Sequence, residues 1–256
     1  MSRDKKGGLV ANAITLVELV RNGTLNADMA SVLWAAVDEQ VSFITAAVPQ
    51  FAGKTTLSRA VLDMRPPGVP LHEVAGEPVV MDRLKAEARG GYLVVGEFSR
   101  APIPGYIWGE PVRRVFDTLS AGYALQTTLH APTIDAAVAQ FSVTNGVRDE
   151  DASRVKLVLY VERYGTNLSN FWRRLVELYE LHKVENGRPI GHPLYRWQED
   201  TDTFEKLSDP HQFGRDRDDL ARRGDLISRL AAEDRTSAED VAAAVVAFRA
   251  QNERAL

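Results

Sequence analysis

Short apolar runs alternate along this chain with stretches in which apolar residues recur every three or four positions. The runs read as buried strands at residues 41–47, 69–74, 92–96, 124–129 and 156–163. Between them the helical period predicts helices over 55–64, 81–88, 111–120 and 133–141, with Pro66-Pro67 and Gly122 as stop signals. Two helices are predicted ahead of the first strand. One runs through Ile14, Val17 and Val20 and ends near Gly23; the other is opened by Asn26 as N-cap and turns Met29, Leu33, Ala36 and Val37 inward. Beyond residue 164 the pattern changes. Residues 175–181 partly alternate, Asn186-Gly187 follows, and 194–197 is apolar again, which is a hairpin signal. Residues 209–224 are dense in charge and read as a linker or an exposed helix, with the mixed charges of 215–223 solvated. Thr236 with Glu239 forms a capping box for a last helix through Val241, Val245 and Phe248.

Strands separated by helices predict an α/β fold whose mainly parallel sheet is covered on both faces, with ligands beyond the strands' carboxyl ends. A β-hairpin and C-terminal helices complete it. The expected division is an N-terminal helical segment (1–40), a core (41–200) and a C-terminal helical appendage (201–256).

Composition narrows the function classes. With 256 residues, 45% hydrophobic and 26% charged, the chain is an ordinary globular protein with an ample core. A net charge of −4 gives no general attraction to nucleic acid or anionic lipid, so strong nucleic-acid binding is not expected. The absence of cysteine removes disulfides, thiolate metal sites and cysteine nucleophiles. Residues 1–8 are polar and basic without a following signal-peptide core, and no run approaches the roughly 20 apolar residues of a spanning helix. The protein reads as cytoplasmic.

Candidate chemistry centres on Gly53-Lys54-Thr55-Thr56, which stands between the run 41–47 and the periodic stretch 57–64. That is the strand–loop–helix setting of a phosphate-binding loop. Backbone N–H groups of Ala52, Gly53, Lys54, Thr55 and Thr56 would converge at a helix N-terminus, where unpaired donors and the helix dipole favour a polyphosphate. Lys54 would neutralise the β- and γ-phosphates and Thr55 would ligate magnesium, making ATP and Mg2+ the expected ligands. The consensus G-x-x-x-x-G-K-[ST] is not met in full, because Val48 stands at its first position and 48–52 reads VPQFA. A side chain forced into a glycine conformation costs about 1–3 kcal/mol, and Pro49 removes a donor. Against the about −8 kcal/mol of a micromolar site, that weakens binding by roughly one to two decades without abolishing it.

Three further segments supply polar groups. The strand 92–96 delivers Glu97, a carboxylate suited to orienting or deprotonating a water that attacks the γ-phosphate. LQTTLHA over 125–131 ends a strand with His130, placed to sense the γ-phosphate or donate to it. Glu73 and Glu77, at the end of 69–74 and beyond, would hold the metal's water shell. Tyr92, Tyr106, Trp108 and Tyr123 are expected to pack the sheet and its loops, and 102–108 reads as an irregular loop near the site.

In their order these segments resemble the secretion and pilus-motor ATPases, that is, the type II and type IV secretion ATPases and the type IV and tight-adherence pilus motors. AGKTTL (52–57) is similar to that family's Walker A core, HEVAGE (72–77) to its acidic box, VVGE (94–97) to its atypical Walker B, and TTLHA (127–131) to its histidine box. RRLVEL (173–178) stands where the family has a paired-arginine strand, and NGTL (22–25) where a turn precedes the motor domain's first helix. The resemblance covers roughly residues 14–200. It implies a RecA-like P-loop core in which Lys54 and Thr55 bind Mg-ATP, Glu97 is the catalytic base, His130 contacts the γ-phosphate, and Glu73 and Glu77 are the acidic box. It also implies a homo-oligomer, a hexameric ring, or association with a complete paralogue. An inner-membrane platform protein is the implied partner, with peripheral location at that membrane. A neighbour's arginine completes the site in such rings, and Arg113, Arg114 and Arg173 are the candidates.

The chain departs from the family pattern at several positions. Val48 and Phe51 replace two loop glycines, Val74 replaces a carboxylate, and Ser99 replaces the arginine after the Walker B glutamate, with Arg100 one position on. Residues 1–40 leave no room for the separate domain that closes over the nucleotide. The expected function is an ATPase subunit that couples hydrolysis to protein export or filament assembly; the alternative is a non-catalytic regulatory or structural paralogue. A DNA translocase or RecA-type strand handler shares the sheet order, but the sequence has no basic stripe.

Overall fold

The computed structural model of the protein describes residues 13–48, 51–167 and 170–253. The basic residues 1–8, and Pro49 and Gln50 of the loop, lie outside the described residues. In chain order the elements are α1 (Leu16–Arg21), α2 (Ala27–Asp38), β1 (Ser42–Ala46), α3 (Lys54–Leu62), β2 (Leu71–Glu73), α4 (Pro78–Glu87) and β3 (Tyr92–Val94). There follow β4 (Glu97–Phe98), β5 (Tyr106–Ile107), α5 (Glu110–Thr118), β6 (Ala124–Leu129), α6 (Ile134–Ala139) and α7 (Asp149–Ala152). The chain continues through β7 (Val155–Asn167), β8 (Asn170–Glu185), β9 (Arg188–Gln198), β10 (Thr203–Lys206), α8 (Arg217–Ala232) and α9 (Ala238–Glu253).

One sheet runs in the order β10-β9-β8-β7-β1-β6-β3-β2, with β4 joined to β6 and β5. From β7 to β2 the pairings are parallel, and from β7 to β10 they are antiparallel. The strand β1 lies between β6 and β7, and β6 separates it from β3, which makes this a mainly parallel, RecA-like α/β fold. Alternation along β1 divides the core: Phe43 faces the cluster built with α1, α2, α3, α8 and α9, while Ile44 and Ala46 face the cluster built with α4, α5 and α6. Helices thus cover both faces, and the turn after β1 opens at the carboxyl edge of the parallel half.

Several expectations are refined. Asn26 is the N-cap of α2, its Oδ1 accepting from Met29 N at 2.9 Å. The first helix, however, starts at Leu16 under a Thr15 cap, leaving Ile14 41% exposed. The strand expected over 92–96 stops at Val94, because Gly96 N–H turns to Gly105 O (3.1 Å) and pairing resumes only at Glu97. A Cβ on Gly96 would stand 2.9 Å from that same carbonyl, so glycine is required by the loop that crosses there. The hairpin forms between β8 and β9 at Asn186-Gly187, both with positive φ (52° and 72°), as a tight turn with the sheet's own twist demands. The last helix is capped by Ser237, not Thr236: Ser237 Oγ accepts from Asp240 N, while the Thr236 carbonyl accepts from Thr15 Oγ1 at 2.8 Å.

The charge-dense segment is not solvated throughout. Arg223 of α8 is 2% exposed, donating to Asp38 Oδ2 and Asp219 Oδ2, each at 2.7 Å, with its guanidinium 4.5 Å from the Trp34 ring centroid. A linear reading counts charges and misses that two carboxylates and an indole face, from α2 and α8, can satisfy one buried arginine. Arg223→Met keeps much of the volume but removes the buried cation shared by both aspartates, leaving Asp38 to Arg249 and Asp219 to Arg222. It should lower unfolding free energy in urea by about 3–5 kcal/mol, the usual cost of breaking a buried pair. Asp225→Ala, on the exposed face of the same helix, should stay within about 0.5 kcal/mol.

Candidate functional site

β1 is buried along its whole length and aims the chain into the turn before α3. Thr45 at its end shares a hydrogen bond with Ser58 of α3 (Oγ1–Oγ, 2.8 Å), fixing helix to strand. Gly53 takes φ +95° as the N-cap residue, and Leu57 N bonds its carbonyl at 2.9 Å to start the helix. Among the described residues no side chain caps that terminus, so the first-turn N–H groups of α3 point outward without intrahelical partners. Their partial positive charge faces a cavity of about 610 Å³, within the range of small-ligand sites. Residues Ala52 through Thr56, Glu97 and His130 all line it.

Lys54 is 8% exposed. Its Nζ lies 3.3 Å from Glu97 Oε2 and 3.2 Å from His130 Nε2. Glu97 Oε1 is 3.4 Å from His130 Nε2, so the three side chains form a closed cluster at the carboxyl edge of β1, β4 and β6. Burial pushes the Lys54 ammonium below its ordinary pKa, and the Glu97 carboxylate partly offsets that. Glu97, 4% exposed, is held by Thr128 Oγ1, which donates toward Oε2 (3.3 Å) and toward Gly96 O (2.9 Å).

The structure thus brings Gly53, Lys54, Thr55, Thr56, Glu97 and His130 together. Glu73 and Glu77 are separate: both are exposed and line an adjoining hollow of about 430 Å³. Thr55 lines both hollows, which places it between the cluster and the two carboxylates. A magnesium ion that keeps several waters needs only such a hydroxyl and distant carboxylates beside a phosphate, so the residues fit this ion.

The upstream substitutions do not fill the turn. Phe51 stands at the cavity rim 74% exposed, and Val48 is 50% exposed. The left-handed conformation falls on Phe51 (φ +63°) and not on Val48, so the strain expected at two positions is confined to one. Arg173 of β8 offsets it by donating Nε and Nη2 to the Phe51 carbonyl (3.3 and 3.1 Å). The same arginine packs where a Cβ on Gly53 would be, 2.7 Å from its Cδ, which is a second reason for glycine. Arg173 therefore lies on the loop of its own chain. Arg113 donates to Asn145 O and Arg114 to Gly76 O, so both brace α5. Arg100 stacks over Trp108 at 4.9 Å, and Ser99 lines the cavity instead. Tyr106, expected to pack the sheet, also lines the cavity, because β5 sets it in register with Glu97. The sequence marks Arg173 only within the paired-arginine strand 173–178 and as a candidate for a neighbour's site, and nothing local marks Tyr106 itself; both reach this cavity through strand pairing.

Strand order, uncapped turn and buried lysine define a RecA-like protein with a P-loop type of strand–turn–helix. No protein-family model matches the chain. It is 25% identical over 223 residues to uncharacterized protein MJ1287 of Methanocaldococcus jannaschii, an alignment that takes in 73% of this chain and 77% of that one. It is similar to the crystal structure of the VirB11 ATPase from the Brucella suis type IV secretion system in complex with sulphate, with TM-score 0.34 and 15% identity over 66% of this chain and 59% of that one. It is also similar to the Legionella pneumophila ATPase DotB, with TM-score 0.40 and 13% identity over 82% of this chain and 58% of that one. The chain spans less than two thirds of each of these solved chains.

The lowered pKa of Lys54 has a direct signature. Only the ammonium attracts an anion, so affinity is greatest below the Lys54 pKa and falls as pH rises through it, beginning below the ordinary 10.5. Calorimetric titration with tripolyphosphate from pH 7 upward should show this decline. Lys54→Arg, which stays charged, should flatten it.

Proposed function

We propose that this chain binds Mg-ATP over the Gly53–Thr56 turn and acts as an ATPase subunit of a secretion or pilus-assembly machine. One observation carries the reading. A buried lysine, a helix N-terminus without a side-chain cap among the described residues, and a carboxylate held by Thr128 converge on one cavity, at the edge where α/β sheets bind ligands. In the ligand-free arrangement Glu97 serves as the counter-ion of Lys54. An incoming triphosphate would take over that ammonium, because it brings more negative charge and meets the first-turn amides as well. Glu97 would then be released as an acceptor for the attacking water, with His130 reporting the γ-phosphate. Thr55 would reach the metal, and Glu73 and Glu77 its water shell. Ring assembly, a platform protein at the inner membrane and the export or filament role rest on the motif resemblance.

A second reading, a regulatory or structural paralogue without turnover, is favoured by two features. Lys54 is already neutralised within the chain, and the loop keeps a non-glycine residue at positive φ.

Paired variants separate the two readings. Lys54→Ala should lose both ATP binding and magnesium-dependent phosphate release. Glu97→Gln removes the competing carboxylate, and should bind ATP at least as tightly as wild type while losing turnover to the Lys54→Ala background. Wild-type binding without phosphate release above that background would establish the second reading; no binding by wild type would remove the first and leave only a structural paralogue.

A further inference from the structure

Three of the protein's five histidines gather far along the chain from the turn, around one buried carboxylate. Glu180 of β8 is fully buried. Its Oε1 accepts from His211 N (2.8 Å) and Gln212 N (2.9 Å), and its Oε2 accepts from His211 N at 3.0 Å. An ionised carboxylate offers about four lone-pair sites, so Oε2 keeps one to spare. That oxygen faces His182 Nε2 at 3.3 Å and His192 Nε2 at 3.6 Å.

We infer that Glu180, His182 and His192 form a binding site for a divalent transition-metal ion of the zinc class. Four observations point there. The three ligand atoms lie within 4.8 Å of one another, and among the described residues this is the group of histidine and acidic side chains with that property. The His182 separation of 3.3 Å equals the edge of a tetrahedron, about 3.3–3.4 Å, that follows from zinc–nitrogen bonds of about 2.0–2.1 Å, and the His192 separation of 3.6 Å is slightly longer. His192 Nε2 is buried yet has no hydrogen-bond partner among the described residues, which is costly for a polar atom unless a ligand completes it. Finally, Glu180 and His192 are cross-strand partners, and the register slips between Leu181 and Lys183, so His182 sits at an irregularity of the kind that re-aims a side chain.

Lys156 supplies charge nearby but donates to the His182 carbonyl (3.3 Å) and is not a ligand. Two imidazoles and one carboxylate leave a fourth position for water. The ion would bind β8, β9 and the segment 211–212 to one another, stabilising the approach to α8.

The test uses the full chain without a histidine tag, stripped with chelator and titrated with zinc chloride. Wild type should retain one zinc per chain by elemental mass spectrometry and gain several degrees in Tm. The His182→Ala, His192→Ala double variant, both of whose sites are partly exposed, should fold with the Tm of the stripped wild type. It should bind zinc more than about 100-fold more weakly, beyond the range typical of outer-shell losses. Zinc retained at full stoichiometry by the double variant, or no zinc-dependent rise in wild-type Tm, would overturn the site. Loss of zinc binding in Glu97→Gln but not in the double variant would place the ion at the nucleotide turn, where Glu97 and His130 are the groups able to hold a cation, and overturn it equally.

Discussion

Lys54 leaves the first turn of α3 and Glu97 leaves β4, and the 3.3 Å between their charged atoms sets what the surrounding structure must provide. An ammonium withdrawn from water needs a counter-charge, and a buried carboxylate needs the same. Each meets the other only because β6 separates β1 from β3 and β4, bringing the two strand ends and His130 to one edge. Thr128, on β6, then fixes the carboxylate. On the proposed function, an anion at the turn would have to draw Lys54 away from Glu97. Binding there would carry an internal competition in addition to the effect of the loop's missing glycines.

The loop shows how a degenerate motif can keep its shape. A glycine at Phe51 would adopt φ +63° freely, whereas phenylalanine is strained there by an amount of order 1–3 kcal/mol. Arg173 returns part of that through two charge-assisted bonds to the Phe51 carbonyl. Partial burial, and then the neighbouring Arg163, push its own pKa down. Placed beside the first-turn amides, it adds positive potential at the turn.

Most of the framework was legible because burial imposes a period. β1 is apolar at its centre, β6 opens and closes on apolar residues around buried Gln126, Thr127 and Thr128, and α2 begins at the asparagine that caps it. The Gly53 turn and Glu97 were legible because glycine, lysine and a strand-end carboxylate leave a pattern in adjacent residues. What escaped depends on partners remote in sequence. Gly96 ends β3 because the carbonyl of Gly105 crosses it. Arg223 looks solvated until Asp38, 185 positions away, meets it. Tyr106 reaches the cavity through a two-residue strand too short to show any period.

The strand β8 unites these themes. Arg173 near its start holds the loop, and Glu180 further on gathers the histidines and the approach to α8. The seven residue steps from one to the other span about 23 Å of extended chain. Paired with β7 along this span and with β9 from Glu177 onward, such a strand is a stiff element. A change of loop conformation that pulled on Arg173 would load the same strand that anchors the Glu180 cluster. The antiparallel extension is thus mechanically continuous with the turn before α3, because one strand supplies a side chain to each end.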